Sequence, residues 1–159
     1  MAYETVRNIV ELIRDKHRQM RDALEAPRAR AKSPKVAVTL EYLQKDEQEL
    51  QLMLGNAQST GEKEVLDTWL QYIPDEELQA TVAQTEFTPD MSVEDIIEEK
   101  MKFDQAMIEF LDHNIRETSI PRVEEFFKSL RDHVQSRAAQ HAWATREEQA
   151  GSDLPQFEL

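Results

Sequence analysis

The sequence predicts an all-α protein: an antiparallel four-helix bundle of two helical hairpins, which a long helical crossover joins. Three observations predict this fold class. Four long segments carry apolar residues at alternating steps of four and three, which is the pattern of helices that pack along one another. Short connections join the first segment to the second and the third to the fourth, so each pair is expected to form an antiparallel hairpin. Sequence signals for β-strands are absent.

The first hairpin is predicted from two apolar stripes on either side of a short loop. Its first helix is expected at 3–26, and Pro27 is expected to end it because proline cannot donate a backbone hydrogen bond. The stripe of this helix consists of Val6, Val10, Ile13, His17, Met20 and Leu24. The second helix is expected to begin after Ser33, a capping residue, and to end at Gly55. Its stripe consists of Val36, Leu40, Leu43, Glu47, Leu50 and Leu54.

The second hairpin is predicted in the same way. The third helix is expected to begin at Ser92, with Asp95 placed three residues on as in a capping box. Its stripe consists of Val93, Ile97, Met101, Asp104, Ile108, Leu111 and Ile115. The fourth helix is expected after Ser119, with Pro121 in its first turn. Its stripe consists of Val123, Phe127, Leu130, Val134, Arg137, His141 and Ala144.

A single domain is predicted at 1–146, because 159 residues is a usual length for one domain. The crossover at 57–91 is expected to carry two short helices, at 62–73 and 76–84. The segment 147–159 lacks a sustained apolar period and is expected to be a mobile tail.

Charge and composition make several classes of function improbable. The chain has 32 acidic and 19 basic side chains and a net charge of −13, and such a surface repels nucleic acid. No apolar run approaches the ~20 residues of a membrane span. The chain has no cysteine, which excludes disulfides, iron–sulfur clusters and cysteine nucleophiles and fits a cytoplasmic location. With only three glycines, a Gly-rich phosphate loop is not expected.

Four polar residues interrupt the apolar stripes, one in each helix: His17, Glu47, Asp104 and Arg137. Residues equally far from the loop of an antiparallel hairpin lie side by side. Counted from a loop centre near residue 30, His17 and Glu47 are within about one helical turn (~5.4 Å) of the same height. Asp104 and Arg137 are similarly matched about a loop centre near residue 119. The four side chains are therefore predicted to meet in one buried polar cluster.

Two main interpretations of this cluster are open. In the first, Arg137 pairs with Glu47 or Asp104, and the ions fix the register of the helices. In the second, His17, Glu47 and Asp104 form an altered metal site for iron, manganese or zinc. A site that binds a small molecule or handles a proton is a third possibility. Arg137 favours the ion cluster, because a guanidinium stays protonated, cannot ligate a metal and repels a cation.

The chain resembles the ferritin-like superfamily and, within it, the rubrerythrin-like proteins. The phrase LEYLQKDEQEL at 40–50 resembles their second helix, in which a histidine follows a glutamate after three residues. The phrase VEEFFKSLRDHVQSR at 123–137 resembles their fourth helix, which has the same spacing. The resemblance covers roughly residues 3–145 and implies a ferritin-like bundle built around a di-iron centre.

The di-iron ligands implied by the resemblance carry over only in part. Glu47 and Asp104 match the carboxylates of the second and third helices, and His17 stands near the glutamate expected on the first helix. The other three positions hold non-ligating residues: Leu50 and Arg137 in place of histidines, and Val134 in place of a glutamate.

Together these observations favour a ferritin-like protein without a functional di-iron centre or any other cofactor, and one that is not an enzyme. It is expected to act through self-association, as a dimer, or by binding another protein. Three aromatic residues, Phe103, Phe110 and Phe126, lie off the main stripes, so their burial requires the crossover or a second subunit. Trp69 is expected to pack on the bundle surface. The alternative is a metal-binding protein or oxidoreductase that uses His17, Glu47 and Asp104.

Overall fold

The computed structural model of the protein describes residues 3–71 and 73–153. These residues are mostly helical, which confirms the all-α class. The elements in chain order are β1 (Tyr3–Thr5), α1 (Val6–Arg30), α2 (Pro34–Thr60), α3 (Lys63–Leu66), β2 (Trp69–Gln71), α4 (Glu76–Gln84), α5 (Val93–Glu117) and α6 (Pro121–Asp153). None of the described helices combines the length and the apolar character that crossing a membrane requires.

The long helices pack in sequential pairs, α1 along α2 and α5 along α6. Polar contacts show that α1 and α2 run in opposite directions. Arg7 donates to the backbone oxygen of Gln58 (2.9 Å) near one end of the pair, and Arg21 donates to Gln51 (2.8 Å) further along. The apolar stripes of these helices are buried in one core, so the helical spacing in the sequence correctly identifies most core residues.

The short helix α4 packs against both α1 and α5. It is held partly by Lys16 of α1, a buried lysine whose ammonium contacts the Gln79 side chain and lies 3.9 Å from Asp75. The predicted helix at 76–84 is confirmed. The crossover therefore forms part of the packed structure.

Two helix starts are capped by side chains. The hydroxyl of Ser92 accepts a hydrogen bond from the backbone N–H of Asp95 (3.1 Å), which confirms the predicted cap of α5. The hydroxyl of Thr5 caps α1 by accepting from the N–H of Asn8 (3.2 Å). Ser33 precedes α2 as predicted, with Pro34 at the first helical position, but its side chain makes no capping hydrogen bond.

Two predicted helix ends are wrong. Helix α1 passes Pro27 and ends at Arg30, because a proline in the last turn removes only one hydrogen bond of the helix and its ring is buried. Helix α2 passes Gly55 and ends at Thr60. A glycine inside a helix costs only about 1 kcal/mol, and here it makes room for α1, since a Cβ at Gly55 would lie 3.1 Å from the Arg14 guanidinium.

The prediction that the chain has no strands is wrong, as is the prediction of a helix over 62–73. In that segment α3 covers only 63–66, and β2 then pairs antiparallel with β1. The physical reason is that β1 lies alongside this segment and pairs with it. The alternation of faces along the strand then buries Leu70 and exposes its two neighbours. Trp69 consequently points to solvent, with 65% of its surface exposed. The prediction that it packs on the helices is therefore wrong.

Three further expectations concern the aromatic residues and the end of the chain. Phe103 and Phe110 are buried within one chain and Phe126 is half-buried, so the burial of the first two requires no second subunit. Helix α6 continues through 147–153, which the sequence assigns to the tail. The rest of the predicted tail, 154–159, lies outside the described residues.

Candidate functional site

Four charged or polar side chains meet in the interior of the protein: His17 of α1, Glu47 of α2, and Lys100 and Asp104 of α5. We call them the central polar cluster. Each has at most 3% of its surface exposed. Lys100 and Asp104 lie four residues apart, so both project from the same face of α5. Helices α1 and α2 supply the other two side chains from their own apolar stripes, and the surrounding core excludes water from all four.

The ammonium of Lys100 lies between two carboxylates. It donates to Glu47 Oε1 at 2.6 Å and to Asp104 Oδ1 at 2.5 Å. It also lies 5.4 Å from the centroid of the Phe103 ring. A single cation thus joins α2 to α5 and satisfies one oxygen of each buried carboxylate.

His17 extends this chain of contacts to α1. Its Nδ1 lies 2.5 Å from Glu47 Oε2. An ionised carboxylate can only accept, so His17 Nδ1 carries the proton and donates it in this hydrogen bond. The His17 ring meets the Phe103 ring edge to face, with centroids 5.3 Å apart. Its Nε2 has no hydrogen-bond partner among the residues that the structure describes.

The cluster strongly favours the charged form of Glu47. Burial alone would raise the pKa of this carboxyl, but the charges of Lys100 and His17 and the hydrogen bonds from both outweigh burial. Together they lower the pKa of Glu47 from the ordinary 4.5 to about 2. Burial likewise opposes the charge on Lys100, yet Glu47 and Asp104 raise the pKa of its ammonium well above the ordinary lysine value. Both groups are therefore charged at neutral pH.

A second group of side chains borders the cluster: Asp46 of α2, with Arg137 and His141 of α6. The Arg137 guanidinium donates to Asp46, and His141 Nε2 lies 3.1 Å from the same carboxylate. His141 Nδ1 lies 3.8 Å from Asp104 Oδ2, so this buried ring connects the two groups. Tyr42 of α2 contacts the His141 ring edge to face and borders this second group on the α2 side.

The structure brings together His17, Glu47 and Asp104, three of the four residues predicted to form the cluster. The placement of Arg137 in it is wrong. Its side chain is 31% exposed and pairs with Asp46 rather than with Glu47 or Asp104. The reason is the orientation of α6, which turns Val134 and His141 inward. Val134 and His141 are two turns apart and lie on the same face of α6. Arg137 lies between them along the helix but projects to one side of that face.

Sequence reasoning missed Lys100, the cation of the cluster. The predicted stripe of α5 places Met101 in the core, but Met101 is exposed and Lys100 is buried. A methionine was the natural choice because lysine is almost never fully buried. The spacing of four between Lys100 and Asp104 could have signalled the pair, since opposite charges at that spacing attract each other on a helix.

The cluster does not fit the di-iron centre that the resemblance implies. The oxygens of Glu47 and Asp104 that would face a metal hold the Lys100 ammonium, and a fixed cation at that point repels a metal ion. Among the described residues, no group of three or more histidine, aspartate and glutamate side chains has the arrangement of a metal site.

Comparison of the chain with protein-family models, with curated proteins and with solved structures finds no match in any of the three.

Proposed function

We propose that the protein is a ferritin-like four-helix bundle in which paired side-chain charges, instead of a metal, occupy the centre. In this proposal it is not an enzyme, and it acts through its surface, by self-association or by binding another protein. The observation that carries the proposal is the Lys100 ammonium between Glu47 and Asp104. A lysine in this position places a positive charge against both buried carboxylates, so the helices are held in register without an added cation.

The pairing of each buried carboxylate with a cation supports this proposal. Three buried carboxylates, those of Asp46, Glu47 and Asp104, face two permanent cations, Lys100 and Arg137. Each of these carboxylates lies beside a cation, so none stands alone as the strong base or free ligand that catalysis in such a centre would require.

A second support is that the side chains of the cluster do not line the groove beside α5. A groove of about 690 Å³ lies between α4 and α5, but Met101 and Lys102 line it rather than Lys100. The central side chains point away from this groove into the core. A substrate that occupied the groove would meet the outer face of α5 and not the cluster.

Metal binding tests the proposal. Protein purified without chelator and titrated calorimetrically with Mn²⁺, Zn²⁺ and anaerobic Fe²⁺ is expected to show no stoichiometric binding that depends on Glu47, because Lys100 repels a cation there. Addition of iron in air is expected to produce no visible absorption band that requires the cluster.

Two variants of α2 separate binding at the cluster from weak binding to an acidic surface. Glu47→Gln removes a buried carboxylate, and Glu41→Gln removes an exposed one from the same helix. Stoichiometric metal that is lost in Glu47→Gln but retained in Glu41→Gln would overturn the proposed function. That result would favour the alternative, a metal-binding protein or oxidoreductase that uses His17, Glu47 and Asp104.

A further inference from the structure

The outer face of α2 carries a row of exposed residues with the spacing of a coiled coil. We call it the α2 stripe, and its members are Val38, Tyr42, Lys45, Glu49, Leu52 and Asn56. All six are exposed, at successive steps of four and three residues, which is the spacing of a helix face that packs along another helix. Its large apolar members are unusually exposed for such positions: 64% of Val38, 44% of Tyr42 and 60% of Leu52.

The α2 stripe is complementary to itself. Tyr42 and Leu52 lie equally far from position 47 on either side, and so do Lys45 and Glu49. When a second α2 crosses in the opposite direction about a two-fold axis at this height, Tyr42 faces Leu52 of the second copy and Lys45 faces Glu49 of the second copy. The apolar residues Tyr42 and Leu52 then meet each other, and each charge meets its opposite. At the ends, Val38 faces Asn56 of the second copy.

We infer that the α2 stripe is a homodimer surface, on which two copies of the chain pair antiparallel through α2. The inference rests on the proposed function, because it names the surface through which the protein associates with itself. A two-fold interface uses one patch twice, so the patch must match its own inverted copy, and the four central residues of the α2 stripe do. Parallel pairing would instead place Lys45 against Lys45 and Glu49 against Glu49, which is unfavourable.

Charge also favours a second copy at this face. The chain has a net charge of −13, so most random approaches of two copies bring acidic surfaces together. The α2 stripe has one lysine and one glutamate and therefore no net charge of its own. Two copies that meet here bury apolar side chains and form two opposite-charge contacts about the axis.

Disulfide cross-linking tests the pairing, and the natural chain has no cysteine to interfere. Chains with Tyr42→Cys are mixed with chains with Leu52→Cys and oxidised. A disulfide requires Cα atoms within about 7 Å, and the antiparallel register brings these two positions together. It separates the two copies of position 42 by about 15 Å along the helices. The mixture is therefore expected to form a mixed disulfide dimer, and each variant alone is expected to form little.

Charge exchange provides an independent readout by analytical ultracentrifugation. Lys45→Glu is expected to raise the dimer dissociation constant about tenfold, because it places glutamates opposite each other. The double variant Lys45→Glu/Glu49→Lys is expected to restore association, because it recreates both pairs with exchanged charges. The matched control is Met101→Lys, which places a charge on an exposed apolar residue of α5 and is expected to leave dimerisation unchanged.

The outcomes separate this inference from the proposed function. Monomers at all concentrations, self-linking of Tyr42→Cys as efficient as mixed linking, or failure of the charge exchange to restore dimers would each overturn the α2 pairing. None of these results affects the metal titration, which tests the central cluster alone. Stoichiometric metal at Glu47 would overturn the proposed function even in a protein that dimerises through α2.

Discussion

Replacing Lys100 with methionine is expected to destabilise the protein by about 3–5 kcal/mol, the usual cost of removing one partner of a buried ion pair. Methionine fits the space of the aliphatic part of the lysine, so the loss comes from the charge. Without the ammonium, the carboxylates of Glu47 and Asp104 remain buried, and each loses one hydrogen bond. The measurement is the free energy of unfolding in urea at neutral pH, and the deficit is expected to shrink at acidic pH, where the carboxyls become neutral.

Two controls isolate the buried position. Lys102→Met makes the same change two residues along α5, at a side chain that is 60% exposed, and is expected to alter stability by no more than about 0.5 kcal/mol. Arg137→Met removes the half-exposed cation from Asp46 and is expected to cost clearly less than Lys100→Met, because water reaches the Arg137 side chain. Equal losses in Lys100→Met and Arg137→Met would contradict the assignment of Lys100 as the central cation.

The wild-type protein is expected to lose about 3 kcal/mol of stability through Glu47 alone as the pH falls from about 4.5 to about 2. The sign follows from the lowered pKa of Glu47, which is about 2 in the folded protein against 4.5 ordinarily. The unfolded chain takes up this proton at a higher pH than the folded chain does. The stabilisation is therefore complete above pH 4.5 and disappears as the pH approaches 2.

This pH dependence can be assigned to one carboxyl by substitution. In Glu47→Gln the position cannot titrate, so urea unfolding across the same pH range is expected to show a shallower loss of stability than in the wild type. Glu41→Gln, which removes an exposed carboxyl from α2, is expected to retain the wild-type slope. Parallel curves for the wild type and Glu47→Gln would show that the cluster does not hold Glu47 in its charged form.

The sequence predicts the long helices and most of the core, because burial of one face repeats with the helical period. His17, Glu47 and Asp104 were found for the same reason, since each is a polar residue in an otherwise apolar stripe. Lys100 was missed because the choice between Lys100 and Met101 depends on the rotation of α5, and hydrophobicity favours the wrong one. Arg137 is misplaced for a similar reason. A rotation of α6 about its axis by less than the angle between successive residues moves a side chain from the core to its border.

The crossover was harder to predict because its structure depends on contacts far away in the sequence. Residues 69–71 form a strand only because β1, at the start of the chain, is available to pair with them. Local periodicity cannot report such a partner. The self-complementary α2 stripe is also not evident from the sequence alone, because there it is mixed with the core stripe of the same helix. It becomes visible once the structure separates buried from exposed positions.

Titration of the lysine side chains by NMR tests whether Lys100 is the buried cation between Glu47 and Asp104. The Cε resonances are followed from neutral to alkaline pH while the fold is intact, and the Lys100 signal is identified by its absence in Lys100→Met. Exposed lysines are expected to titrate near 10.4. Lys100 is expected to stay protonated after the exposed lysines have lost their protons. Titration of Lys100 together with the exposed lysines, or at a lower pH, would contradict its placement between the two carboxylates.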